Sequence, residues 1–210
     1  TGEPRLELRG LEKYFGPNRV LTDVSLTFRS GSVHALLGAN GSGKSTIIKI
    51  LAGYHEPSGG QVFIDGRAVA FPVKADELHA ARVRFVHQHL GLVPTLSTAF
   101  TVRRGRIDWR RQDDAARRLL ATVGLEHLDP HLLIEDLGPV QQTLIAIARA
   151  IDGLDARTGT LVLDEPTARL PKAQVEDLLS RCRALRDRGL ALIYVSHRLD
   201  EVFALADSVS

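Results

Sequence analysis

Methionine is absent from this sequence, and cysteine and tryptophan each occur once. A lone thiol cannot close an internal disulfide, and such sparing use of cysteine suits a reducing cytosol. Cys182 falls within the helical-looking VEDLLSRCRALRDRG, where a buried, inert thiol is expected. Long apolar runs are also missing. The longest, such as LALIYV (190–195), fall far short of the roughly 20 residues that span a bilayer. No cationic-then-apolar leader opens the chain, so secretion is not indicated. An excess of one charge is lacking too: 27 basic against 25 acidic residues leave a net +2. That balance offers no field to attract nucleic acid, and no nucleic-acid partner is expected. The local exception, VRRGRIDWRRQ (102–112), reads as a solvated helix entry.

What is present is ordinary soluble composition, 44% hydrophobic and 25% charged over 210 residues, enough for one sizeable core and a smaller lobe. RLELRG and VLTDVSLTF alternate and carry β-branched residues, and SVHALLG is a short apolar run closed by glycine. A helix is expected at KSTIIKILAG, then a hairpin at GQVFIDGRAVAF turning on Asp-Gly, then a strand at VRFVHQ. From 89 to about 157 alanine, leucine and arginine dominate, and DDAARRLLATVGL and PVQQTLIAIARAI have helical spacing. Strands return at GTLVLDEP and GLALIYVSH around a helical KAQVEDLLSRCRALRDRG. The pattern is a β/α core interrupted by a helical insert, without internal repeats.

GANGSGKST (38–46) fits G-x-x-x-x-G-K-[ST] between the strand HALL and the helix STIIKILAG. Glycines at 38, 41 and 43 let the backbone wrap a polyphosphate with its N–H groups, and the helix N-terminus adds partial positive charge. Residues Gly38, Ala39, Asn40, Gly41, Ser42, Gly43, Lys44, Ser45 and Thr46 are the candidate cradle. Lys44 is expected to reach the terminal phosphates and Ser45 to ligate Mg²⁺. In TLVLDEP (160–166) four apolar or β-branched residues should be buried, with Asp164 and Glu165 emerging at the strand's C-terminal end. Asp164 is placed to hold Mg²⁺ and Glu165 to polarise an attacking water.

Beyond these motifs, essentially the whole chain resembles the ATP-binding subunits of ABC transporters. The family's fold implies an α/β P-loop NTPase (RecA-like) core with an antiparallel β subdomain and an inserted α-helical subdomain. Here that means a core in 1–88 and 158–210 and a helical subdomain in 89–157. KYFG resembles the segment whose aromatic, here Tyr14, stacks on adenine. FVHQHLGLVPTLS resembles the loop whose glutamine, here Gln88, touches Mg²⁺ and relays the ATP state to the membrane domain. YVSHRLDEVFALAD resembles the switch region, where His197 would contact the γ-phosphate. Plainer readings stand beside these: a surface aromatic, a solvated glutamine, a strand-end cap. His87 and His89, two apart on an expected strand, would face one side, as a metal pair or as polar loop residues.

HALLGANGSGKST, KILAGYHEPSGGQVFIDG and SHRLDEVF look most like the ATPases of bacterial sugar importers, with nucleoside importers as the rival because of VHQHLGLVPTL. The resemblance implies an ATPase energising sugar uptake. ATP and Mg²⁺ are its cofactors, and Lys44, Glu165 and His197 act at the reacting phosphate. A second nucleotide-binding half, membrane permease subunits and, indirectly, a solute-binding protein are the implied partners. The place implied is the cytoplasmic face of the cell membrane, held peripherally. Such proteins carry two nucleotide-binding halves, and this chain resembles the first, so a piece of something longer is expected. STAFTVRRGRIDWRR looks shorter than its family counterpart.

Two departures concern the cycle. The family's signature is usually Leu-Ser-Gly-Gly-Gln; here it is LGPVQ (137–141), so Gly138, Val140 and Gln141 would face the ATP of the opposing domain without the serine hydroxyl. Downstream of Glu165, ARL puts Arg169 where a Ser or Ala is usual. Asymmetric ATP use is one expectation, and a regulatory half that binds ATP but hydrolyses it weakly is another. A soluble ABC-type ATPase working on DNA or ribosomes would need coiled-coil or basic insertions that the sequence does not contain. A small-molecule P-loop kinase would leave Gln88, His197 and the signature position as coincidences.

Overall fold

A computed structural model describes residues 2–39, 41–102, 109–155 and 157–210. The basic segment read as a helix entry lies mostly outside them. Two sheets organise the chain. The first is antiparallel, built from β1 (Pro4–Phe15), β2 (Asn18–Arg29), β4 (Gly59–Ile64) and β5 (Arg67–Ala68) in the order β2-β1-β4-β5. The expected Asp-Gly turn joins β4 to β5, with Asp65 at φ 50° and Gly66 at φ 73°. Two left-handed residues in a two-residue loop match the twist of the flanking strands.

The second sheet is parallel, in the order β6-β7-β8-β3-β9. It comprises β3 (Val33–Leu37), β6 (Val83–Val86), β7 (Thr160–Asp164), β8 (Ala191–Ser196) and β9 (Ser208–Val209). Every residue of β8 and the first four of β7 are buried, as a sheet covered on both faces requires. Alternation splits the strands between two cores. Leu161, Leu163, Leu192 and Tyr194 face a core shared with the helices, while Val162 and Ile193 face one shared with the antiparallel sheet.

Helix α1 (Lys44–Leu51) follows β3, and α6 (Lys172–Asp187) connects β7 to β8. Burial seals Cys182 of α6 in the helical core and pushes its thiol up to about 12. Between β6 and β7 come α3 (Thr98–Val102), α4 (Trp109–Thr122) and α5 (Pro139–Ile151), with α2 (Ala75–Ala80) before β6 and α7 (Leu199–Leu205) after β8. Leu144, Ile145 and Ile147 of α5 pack into the same core as β7, so the helical insert is not a separate hydrophobic unit.

Register decides what meets at the edge of the parallel sheet. Leu37 pairs with Ser196, and Val195 pairs with Asp164. The three strand ends are therefore level, and the residues just beyond them share one rim. The strand expected to reach Gln88 ends instead at Val86, which pairs with Leu163. β7 runs one residue further, to Asp164, before Glu165 turns into the left-handed region at φ 48°.

Candidate functional site

The loop after β3 folds as its glycines permit. Gly41 and Gly43 adopt φ 85° and 95°, and a Cβ on Gly43 would lie 2.7 Å from Leu21 Cδ2. The antiparallel sheet thus presses on the loop from below. Lys44, only 8% exposed, donates to Gly38 O at 2.5 Å and Ala39 O at 2.9 Å, with Ser42 Oγ at 3.4 Å. Its ammonium is folded back onto the loop carbonyls. Ser45 is exposed and Thr46 half-buried at the head of α1. Asn40 lies outside the described residues.

Across the rim stand the carboxylates. Burial pushes the Asp164 carboxyl above its usual range; His87 opposes this, Glu165 adds to it, and Lys44 and Lys49 oppose it further. A further cation beside such a carboxylate would favour its ionised form. Glu165 donates its backbone N–H to Val195 O at 3.0 Å, and His197 Nδ1 donates to Glu165 Oε1 at 3.3 Å. The register of β3, β7 and β8 therefore gathers Lys44, Asp164, Glu165 and His197 at one edge.

Gln88 is exposed beside this edge. Its two neighbours line one cleft but take different partners. The ring of His87 stacks on Phe85 at 5.9 Å, while His89 accepts from Arg169 Nη2 at 3.0 Å. Among the described residues no metal cluster of three or more His, Cys, Asp or Glu forms. Arg149, at the far end of α5, donates to Leu90 O at 2.6 Å and Gly91 O at 2.8 Å. A cleft of about 440 Å³, lined by Phe85, His87, His89, Gly91 and Arg149, opens under the loop. Arg149 was invisible as a loop holder in the sequence; a basic residue closing an apolar helix reads first as a dipole partner.

Tyr14 is exposed near the end of β1, with the Arg19 guanidinium 5.6 Å over its ring. Phe15 is exposed too, its ring 5.2 Å from His55 and 5.0 Å from Lys13 Nζ. Adjacent strand residues point to opposite faces, so two aromatics are offered to two different surroundings. The KYFG pair itself was the signal for the second.

The signature segment lies elsewhere. Gly138 caps α5, Pro139 occupies the first turn, and Val140 is buried in the helical core. Gly138 donates its backbone N–H to Gln141 Oε1 at 2.9 Å, half of a capping box. That donor is engaged by its own helix. Gly138, Val140 and Gln141 border a separate cleft of about 290 Å³ with Leu144, Gln174 and Arg181.

A P-loop at the edge of a parallel sheet, with acidic residues on the neighbouring strand end and a helical insert between β6 and β7, defines a nucleotide-binding ATPase core. Residues 21–168 match the ABC transporter family. The chain is 38% identical to the ribose import ATP-binding protein RbsA of Chromobacterium violaceum, across 98% of this chain and 42% of that protein. It is 43% identical to the arabinose import ATP-binding protein AraG of Ralstonia nicotianae, across 96% of this chain and 40% of that one. It therefore spans about two fifths of the length of the curated relatives it matches. Among solved structures, the ADP conformation of an ATP-binding cassette from an ABC transporter superposes with a TM-score of 0.85 at 22% identity, covering 99% of this chain and 86% of that chain. A nucleotide-free cassette gives 0.83, covering 99% and 87%. This chain belongs to the ABC transporter family.

Proposed function

We propose that this chain binds ATP with Mg²⁺ on the 38–46 loop and hydrolyses it while closing against a second nucleotide-binding half, driving uptake of a sugar through membrane permease subunits. The observation that carries this reading is the common rim of β3, β7 and β8, which presents Lys44, Asp164, Glu165 and His197 together. The names of the ribose and arabinose import relatives support the solute class. No helix among the described residues is long and apolar enough to cross a membrane, which fits a peripheral subunit on the cytoplasmic face. Residues 1–88 and 158–210 would form the ATP-binding core and 89–157 the lobe bearing the signature.

Lys44 would leave its loop carbonyls for the terminal phosphates as a mobile, compact cation. Ser45, Asp164 and Gln88 would hold Mg²⁺, and the half-buried Asp164 fits that cation because burial disfavours its ionised form and a nearby positive charge favours it. Mg²⁺ supplies charge neutralisation at the phosphates. Glu165 would orient the attacking water, and His197, already bonded to it, would bridge towards the γ-phosphate. Tyr14 would stack on adenine. The exposed Gln88 loop, stapled by Arg149, would pass the nucleotide state to the permease.

Gly138, Val140 and Gln141 would cover the partner's ATP. With a serine hydroxyl missing and the Gly138 N–H engaged by Gln141, that cover is weakened, which favours asymmetric use of the two ATP molecules. The decisive experiment is Glu165→Gln. Phosphate release is expected to stop while ATP stays bound; turnover at the parent rate overturns the hydrolytic reading.

A further inference from the structure

Glu201, in the first turn of α7, is 1% exposed. Four side chains converge on it. Thr167 Oγ1 lies 2.8 and 2.7 Å from its two oxygens, Tyr194 OH 2.8 Å and Ser196 Oγ 3.1 Å away, and Arg198 Nη1 forms an ion pair at 2.9 Å. Ser196 Oγ in turn accepts the Arg198 backbone N–H at 3.1 Å. Burial, reinforced by the Glu201 charge, pushes the Tyr194 phenol far up, so it remains a donor.

The origins of these donors matter more than their number. Thr167 stands two residues past Glu165, and Ser196 and Arg198 flank His197. Neither Glu165 nor His197 touches Glu201, but the backbone on the far side of each is tied to it. Glu165 itself sits at φ 48°, a conformation that a non-glycine residue keeps only when its surroundings over-determine it. Its N–H is held by Val195 on one side, and the Thr167 hydroxyl holds the chain on the other. A buried carboxylate needs its lone pairs filled by charge-assisted bonds, and a partly satisfied network loses more than one bond's worth. One buried charge thus sets the spacing between the two loops that bring Glu165 and His197 to 3.3 Å.

We propose that Glu201 is a positioning residue for the reacting pair, coupling the loop after Glu165 to the loop around His197. The proposal rests on the hydrolytic reading above. Thr167→Val and Tyr194→Phe each remove one donor from Glu201, but only the first detaches the Glu165 loop; Tyr194 lies within β8. Thr167→Val is expected to lower kcat for ATP at least tenfold with the Mg-ATP dissociation constant within twofold of the parent. Tyr194→Phe should stay within threefold in both. Amide hydrogen exchange over 165–169 and 196–199 should quicken together at least tenfold in Thr167→Val, with α1 unchanged. Glu201→Asp, which keeps the charge but shortens its reach, should retain more turnover than Glu201→Gln, which puts an amide against four donors.

Unchanged exchange around His197 in Thr167→Val overturns the proposal, as do equal kcat losses in both donor variants that track their melting temperatures. If Glu165→Gln turns over ATP like the parent, the hydrolytic reading fails instead, and the exchange pattern still decides whether the two loops are coupled.

Discussion

Restoring the missing hydroxyl by Gly138→Ser should strengthen ATP-driven closure without disturbing the fold. Gly138 has φ −66° and ψ 160°, a conformation open to any residue. A Cβ there meets nothing nearer than Gln141 Oε1 at 3.6 Å, an ordinary contact. As a cap, serine exceeds glycine by only a few tenths of a kcal/mol, so the melting temperature should scarcely move. Towards an opposing γ-phosphate the hydroxyl would add one hydrogen bond to a charged group, about 1.5–3 kcal/mol. At about 1.4 kcal/mol per tenfold, that is roughly one to two orders of magnitude per ATP. Gln141 Oε1 competes for the same proton, which favours the lower bound. Two copies closing on two ATP molecules carry the substitution twice, so their dissociation constant should fall by about two orders of magnitude even then. The measurement is sedimentation with Mg-ATP on a Glu165→Gln background, where nucleotide persists. A change under threefold, at unchanged melting temperature, refutes the claim that the head of α5 meets a phosphate.

Lys44→Ala removes a charge-assisted contact of about 1.5–3 kcal/mol, so ATP affinity should fall at least about tenfold in a fluorescent-nucleotide titration; a change within twofold contradicts the cradle. Gly43→Ala imposes φ 95° on a residue with a Cβ that lies 2.7 Å from Leu21 Cδ2, and should lower both melting temperature and nucleotide affinity. An alanine variant equal to the parent in both would mean the loop is not pressed against β2. His34 is wedged between the Ser208 and Ser210 hydroxyls at 3.0 Å each, and burial holds its imidazole below the ordinary 6.5, against a raising backbone bond near Thr27. The folded state then binds fewer protons than the unfolded one below that value. Its contribution is full above about pH 6.5 and is lost as pH falls towards the folded value. Melting temperatures between about pH 5 and 7.5 should drop on the acid side, and His34→Gln should flatten that limb; parallel curves refute the assignment.

Much of this was legible because some residues carry their chemistry locally. The glycines, Lys44 and Ser45 of the cradle imply a backbone that wraps phosphate wherever strand and helix flank them. Asp65-Gly66 specified its turn through left-handed backbone, and PVQQTLIAIARAI its helix through apolar spacing, with buried Leu144, Ile145 and Ile147 on the inward face. Short elements were harder. α2 has six residues, too few for periodicity to register. The end of β6 at Val86 shows only in its pairing with β7, about 75 residues away in the chain.

By itself, then, the sequence determined the phosphate cradle, the acidic strand end, the β/α core and the family, since each rests on residue type and near-neighbour spacing. The tertiary structure decided what those pieces do to one another. Parallel register made three strand ends level and so placed Glu165 beside His197, which lie 32 residues apart. Packing turned Val140 inward. It gave the Gln88 loop its Arg149 staple and drew Thr167, 34 residues away, onto Glu201. Contacts of that kind come from strand order and burial, in which distance along the chain has no part, and no local pattern encodes them.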